Sequence, residues 1–271
     1  MLPRLPAAAA LAILILPDGL AAQSAWLGPS PPPVIRIVRE TARFGTAAAH
    51  VANERNWVAA LEKKKVPYSY VGTIAATGAA EFWFIGGAEN FAGFEALDQI
   101  YQSDRSLANR LDTLMAREAA FVTGVQTILA SYRPDLSYRP MFIQPETRYF
   151  WISTFTVRPG QEAAFDTMLK AYVEAYTAAD LATPWVTYQL AAGGPSPTFY
   201  LVVPLNSFGD MDRDLAAGKS VGEKLSSPVK VAELFTASTA LVETQVLTIT
   251  PQVSYVPEEF ANQDKAFWRA K

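Results

Sequence analysis

The chain contains a single histidine, His50, with a glutamate, Glu54, four residues later. On a helix such a pair shares one face and its side chains can touch. An imidazole beside a carboxyl is also the smallest set in this sequence able to hold or pass a proton. On a wheel at about 100° per residue, Ala47, His50, Val51, Glu54, Trp57, Val58 and Leu61 fall on one side, with Ala48 and Arg55 opposite. The pair therefore sits on the face a helix buries. A buried carboxylate without a partner is costly, so Glu54 needs a proton, a cation or a wet cavity. His50 is one partner, and Arg36 or Arg39 on the preceding segment is another. Burial raises the carboxyl pKa and a neighbouring cation lowers it; either outcome marks a candidate site. Three uses stay open: a structural contact beneath a sheet, a ligand or catalytic pocket, and a metal site. No metal is assigned, because His-x-x-x-Glu supplies two ligands and no second histidine exists. A third ligand would have to be a carboxylate brought in by the fold.

Aromatic residues nearby suit a small apolar or aromatic ligand. Trp57 would form one wall, and Tyr68, Tyr70, Phe82 and Trp83 come from adjacent segments. Small-molecule pockets are mostly apolar with a few placed polar groups. His50 and Glu54 are accordingly read as the catalytic pair, with Trp57, Tyr70, Trp83 and Arg39 as ligand-binding residues. Other chemistries find no support. The chain has no cysteine, hence no thiolate nucleophile and no sulfur metal site. No glycine-rich dinucleotide fingerprint, phosphate loop or serine nucleophile elbow occurs, and no cofactor is implied. A net charge of −3 without a basic stripe argues against nucleic acid.

The elements that must position these residues are written twice. SYRPDLSYRP (Ser131–Pro140) has an echo in TITPQVSYVP (Thr248–Pro257), and Tyr138 and Tyr255 stand 117 positions apart. Pro134 and Pro251, Phe91 and Phe208, Trp83 and Tyr200, Phe82 and Phe199, and Pro67 and Pro184 share that offset, which slips to 115 for Gly45 and Gly160. Each copy opens on a β-branched or aromatic run, 34–42 and 149–157, then a glycine and a helical pattern, 46–64 and 161–179. Second strands are expected at 68–76 and 185–192, third strands at 81–86 and 198–203. Helical stretches follow near 90–122 and 207–240, and fourth strands at 124–132 and 243–250. The order β-α-β-β-α-β is the split βαβ, ferredoxin-like unit. Its sheet carries helices on one face and is bare on the other, so two copies can cover each other. The twin Pro-x-x-Ser-Tyr stretches become the exits of the last strands, ended by a proline that cannot donate to the ladder, with each tyrosine packed on the neighbouring copy. The copies disagree at one place. Phe165, Leu169, Tyr172 and Tyr176 of the second copy stand where the first has His50, Glu54, Trp57 and Leu61. Flanked by Met168 and Val173, they look like an ordinary buried face.

The strand–(Arg-x-Gly)–helix openings, Ala42-Arg43-Phe44-Gly45 through Trp57 and Val157-Arg158-Pro159-Gly160 through Tyr172, resemble the dimeric α/β-barrel superfamily, particularly antibiotic-monooxygenase-like and NIPSNAP-like proteins in tandem form. The resemblance covers about Val34–Pro257. It implies an α+β fold of two ferredoxin-like βαββαβ repeats packed sheet to sheet as an intrachain barrel. It also implies a group holding cofactor-independent oxygenases, haem-binding enzymes and small-molecule isomerases. A haem is not implied here, since His50 is the sole histidine and is tethered closely to its helix.

The start reads as a signal peptide: Arg4, the apolar run Ala7–Leu16, then Pro17-Asp18-Gly19 and small residues before a cleavage expected near Ala22–Gln23. The organisation is a signal at 1–22, a proline-rich linker at 23–33, repeats at 34–140 and 141–257, and a tail at 258–271. An exported protein, periplasmic or extracellular, is expected, without a membrane contact after cleavage. The duplication supplies the usual barrel partner within one chain and leaves the oligomeric state open. Two functions compete: a protein that binds a small, largely apolar molecule in a pocket between the first helix and sheet of the first repeat, as a cofactor-independent oxygenase or isomerase, and a non-catalytic secreted scaffold or partner-binding protein.

Overall fold

The computed structural model describes residues 27–28 and 30–270, so the expected signal peptide lies outside the described residues. Repeat 1 runs β1 (Val34–Ala42), α1 (Ala47–Lys64), β2 (Tyr70–Ala75), β3 (Glu81–Ala88), α2 (Phe91–Ser103), α3 (Arg105–Glu118) and β4 (Val122–Tyr132). Repeat 2 runs β5 (Tyr149–Val157), α4 (Glu162–Ala178), β6 (Val186–Ala192), β7 (Thr198–Leu205), α5 (Phe208–Lys224), α6 (Pro228–Ser238) and β8 (Thr239–Ile249). The α+β order is the one the sequence implies, except that each later helical stretch is broken in two. Asp104 makes one break: its side chain accepts from the N–H groups of Ser106 and Leu107, both at 3.0 Å, starting a new helix. Pro228 makes the other, as the first residue of α6. Both opening helices follow a left-handed glycine, Gly45 at φ +81° and Gly160 at φ +82°.

The strands close into an antiparallel barrel in the order β1-β3-β2-β8-β5-β7-β6-β4. Each repeat supplies four adjacent strands, and the seams are β2 against β8 and β4 against β6. Ile35, Ile37, Trp83, Ile85, Phe150, Ile152, Tyr188 and Leu247 fill the shared interior. The helices of each repeat pack on the outer face of its own half. Among the described residues no helix is long and apolar enough to cross a membrane. The segment after the second repeat carries α7 (Glu258–Ala261) and α8 (Lys265–Trp268). It sends Phe260, Ala261 and Trp268 into the interior cluster, where Trp268 Nε1 donates to the Pro145 carbonyl at 2.8 Å. Helices of four residues leave no periodic signal in a sequence.

The repeated Pro-x-x-Ser-Tyr stretches are the clasps of the seams. Each begins with a 3₁₀ turn, Pro134–Leu136 or Pro251–Val253. Ser137 Oγ then donates to Arg133 O at 2.8 Å and accepts from Thr187 N–H at 2.9 Å. Ser254 Oγ donates to Thr250 O at 2.8 Å and accepts from Gly72 N–H at 2.9 Å. Tyr138 exchanges backbone hydrogen bonds with Trp185, and Tyr255 does so with Tyr70. Each exit therefore grips the second strand of the other repeat. At Gly72 the approach is close enough that a Cβ would lie 2.3 Å from Val253 O, a backbone atom. Gly72→Ala should lower stability by about 2–3 kcal/mol, read as a lower urea midpoint. Gly124→Ala, in open space on β4, should leave the midpoint unchanged or slightly raised.

Candidate functional site

Strand alternation decides which side chains meet the helices of repeat 1. On β1, Ile35 and Ile37 point into the barrel, and Arg36, Val38 and Glu40 face outward beneath α1 and α3. Helix α1 buries His50, Asn53, Glu54, Val58 and Leu61. Helix α3 buries Leu107, Leu111, Leu114 and, in its last turn, Glu118. These three elements bring Glu40, His50, Glu54 and Glu118 together, with one donor atom from each lying within 4.8 Å of the others.

His50 is fully enclosed, at 0% exposure. Its ring stands edge-on to Phe82, centroids 4.1 Å apart. Nδ1 bonds to Glu118 Oε1, and Nε2 lies 3.3 Å from Glu40 Oε2. Asn53 Nδ2 donates both to Glu118 Oε2 and, at 3.1 Å, to the Leu114 carbonyl. Glu118 ends a helix, where the backbone dipole disfavours an anion, and these two side chains compensate. His50 Nε2, Glu40 Oε2 and the Tyr70 hydroxyl are buried without a hydrogen-bond partner. Burial pushes the Glu54 carboxyl up to about 9, helped by the charges of Glu40 and Glu118. Burial likewise raises Glu40 to about 7, with His50 opposing and Glu118 adding to the rise.

Above this floor is a cavity of about 150 Å³. Glu40, Glu54 and Glu118 form its polar base, Trp57, Tyr68, Tyr70, Phe84 and Tyr101 its walls, and Met115 stands at 55% exposure on its rim. Of the residues singled out from sequence, Glu54, Trp57 and Tyr70 line the cavity and His50 lies sealed just beneath. Arg39 and Trp83 do not line it. They face the barrel interior, Arg39 paired with both oxygens of Glu81 at 3.0 and 2.9 Å and stacked 4.4 Å over the Trp83 ring. The reason is parity: each lies one residue off the outward set. Arg36 reaches the cavity wall but pairs with Asp98 at 3.2 Å. His50 also turns to Glu118 and Glu40 rather than to Glu54.

Sequence reasoning missed Glu40, Asn53 and Glu118, yet the duplication carried the signal. At the 115-residue offset Glu40 matches Phe155, and at 117 Glu118 matches Phe235. The structure supports both matches. Glu40 sits opposite Phe82 on the ladder as Phe155 sits opposite Phe199. Arg43 N–H donates to Phe121 O as Arg158 N–H donates to Ser238 O, both at 2.7 Å. Repeat 2 thus has Phe155, Phe165, Leu169 and Phe235 where repeat 1 has Glu40, His50, Glu54 and Glu118. Its face is not the solid packing expected: Met168, Leu169, Tyr172 and Tyr176 border a second cavity of about 250 Å³ whose one acid is Asp214. The repeats differ in charge rather than in having a void.

No family model matches the chain, and no curated protein matches it. Solved structures do. One, from Lactobacillus acidophilus NCFM and named a "putative monooxygenase", superposes with a TM-score of 0.50 at 9% identity over 84% of this chain and 100% of its own. Another of that name, from Fusobacterium nucleatum subsp. nucleatum ATCC 25586, gives 0.54 at 9% identity over 80% and 92%. The likeness is one of fold, and the fold is the dimeric α/β barrel, here closed within one chain.

The buried acids set a pH dependence of stability. Unfolded, Glu54 titrates near its ordinary 4.5; folded, near 9. Between these values the folded chain keeps a proton the unfolded chain has lost, so stability falls as pH rises through the window. Glu40 adds the same trend between 4.5 and about 7. In EDTA-treated protein the urea midpoint should drop from pH 5 to pH 8. Glu54→Gln, a mimic of the protonated group, should flatten that slope and exceed the wild type at pH 8.

Proposed function

We propose that the protein, exported after removal of its signal peptide, binds a small, largely apolar, ring-bearing molecule in the cavity of repeat 1 and acts on it. Trp57, Tyr70 and Phe84 hold the ring, and the ionisable floor supplies hydrogen-bonding and acid–base groups to the polar end. An isomerase or an oxygenase that needs no organic cofactor would use such a pocket; the oxygenase branch takes its direction from fold neighbours named as monooxygenases. One observation carries the reading: four buried ionisable side chains converge under an aromatic-walled cavity in one repeat only. A scaffold is the poorer account. Burying carboxyl groups is costly, and repeat 2 builds the same architecture with phenylalanine and leucine at those positions.

The test uses 2-naphthol as probe, followed by calorimetry and tryptophan fluorescence. Met115→Trp fills the exposed rim of the repeat 1 cavity and should weaken binding at least about ten-fold, since the ring would lose its buried apolar contacts, with an unchanged melting temperature. Ser153→Trp, in the repeat 2 cavity, should leave the repeat 1 affinity intact. Absence of binding, or binding lost in Ser153→Trp and kept in Met115→Trp, would overturn the reading.

A further inference from the structure

We propose that the floor of this pocket is a binding site for one divalent transition-metal ion, held by Nε2 of His50 and the carboxylates of Glu40 and Glu54. Glu118 is then not a ligand but the group that orients the imidazole. The proposal rests on the pocket reading only for what approaches the ion, not for the ion itself.

Two buried donor atoms point to it first. His50 Nε2 and Glu40 Oε2 belong to residues 0% and 7% exposed, and neither has a hydrogen-bond partner. They face one another at 3.3 Å. Polar atoms this deep are rarely left unmatched, and an unmatched pair of acceptors calls for something positive between them. The second indication is convergence. Donor atoms of Glu40, His50, Glu54 and Glu118 lie within 4.8 Å of one another. Donors at about 2.0–2.2 Å from a shared ion stand at most about 4.4 Å apart, so sub-ångström adjustments complete the set.

The opposite edge of the ring supplies the third. A ligating histidine commonly donates its other N–H to a carboxylate, which fixes the tautomer and presents the free lone pair to the metal. Glu118 Oε1 stands at Nδ1, and its Oε2 accepts from Asn53, itself anchored on Leu114 O at 3.1 Å. With both oxygens of Glu118 directed at donors, the proton belongs on Nδ1 and the lone pair on Nε2.

Charge and donor type narrow the ion. Arg36, the cation on the cavity wall, is engaged by Asp98, so two carboxylates at the base are neutralised by one dication. One imidazole nitrogen with carboxylate oxygens suits manganese, iron, cobalt or zinc in the divalent state better than copper(I), which prefers sulfur, or magnesium, which prefers oxygen alone. Three protein ligands leave positions toward the cavity for water or a bound molecule, the arrangement of reactive rather than structural sites. The unpartnered Tyr70 hydroxyl lines the same space and can bond to whatever occupies those positions. Phe155, Phe165, Leu169 and Phe235 offer no donor in repeat 2, which fixes the stoichiometry at one.

The experiment titrates Co²⁺ into EDTA-treated full-length chain, reading visible absorption, calorimetry and melting temperature, with Mg²⁺ as the comparison ion. One Co²⁺ per chain, a raised melting temperature and no comparable response to Mg²⁺ are expected. Glu54→Gln preserves shape and His50→Phe installs the residue repeat 2 uses; each should weaken Co²⁺ at least about 100-fold, and Glu118→Gln about 10–100-fold as an orienting group. Circular dichroism identifies which variants are folded. No stoichiometric Co²⁺, equal affinity for Mg²⁺, or full affinity in folded Glu54→Gln would overturn the proposal. Titrating 2-naphthol into the same protein separates the two readings: naphthol without Co²⁺ removes the metal alone, and Co²⁺ without naphthol removes the pocket alone.

Discussion

Closure of the barrel is the constraint on which the rest depends. A four-stranded sheet with helices on one side leaves the other side open to water, and here each half covers the other. The seams between β2 and β8 and between β4 and β6 remove all four edges at once, so among the described residues no unpaired strand remains to template aggregation. The serine and tyrosine of each exit then lock the opposite second strand, with Gly72 making room for the close pass of the chain at Val253. The shared interior is filled by side chains from both halves. The two cavities lie instead on the outer face, between each sheet and its own helices.

That division explains what could be read in advance. Periodicity and punctuation located the eight strands, and the 115- and 117-residue offsets gave the pairing of the repeats. The site was half legible. The helix comparison found His50 and Glu54, since a histidine and a glutamate replacing phenylalanine and leucine stand out on an apolar stripe. The same comparison extended to the first strand would have placed Glu40 opposite Phe155. Arg39 and Trp83 have the residue types of a ligand site, but strand alternation turns them inward. Glu118 needed the break in the helical stretch at Asp104 to be known before its face could be assigned. Phe260 and Trp268 belong to turns too short to leave a pattern.

The energetic contrast between the repeats is as informative as their likeness. Repeat 2 shows that this architecture folds with apolar groups at all four positions, so the acids and imidazole of repeat 1 are not a requirement of folding. Their burial raises two carboxyl pKa values and leaves His50 Nε2 and Glu40 Oε2 unmatched, features that concentrate where proteins do chemistry.

Each cavity, finally, has one wall residue held in place from across a seam. Tyr70, on the repeat 1 cavity, is paired through its backbone with Tyr255, whose hydroxyl donates to Val66 O at 2.9 Å. Trp185, on the repeat 2 cavity, is paired with Tyr138, whose hydroxyl donates to Leu181 O at 2.8 Å. In a barrel assembled from two identical subunits, every mutation would be expressed twice, and an acidic cluster would weaken both halves together. Linking the halves in one polypeptide breaks that obligation: one half can stay a plain structural support while its twin drifts toward reactivity.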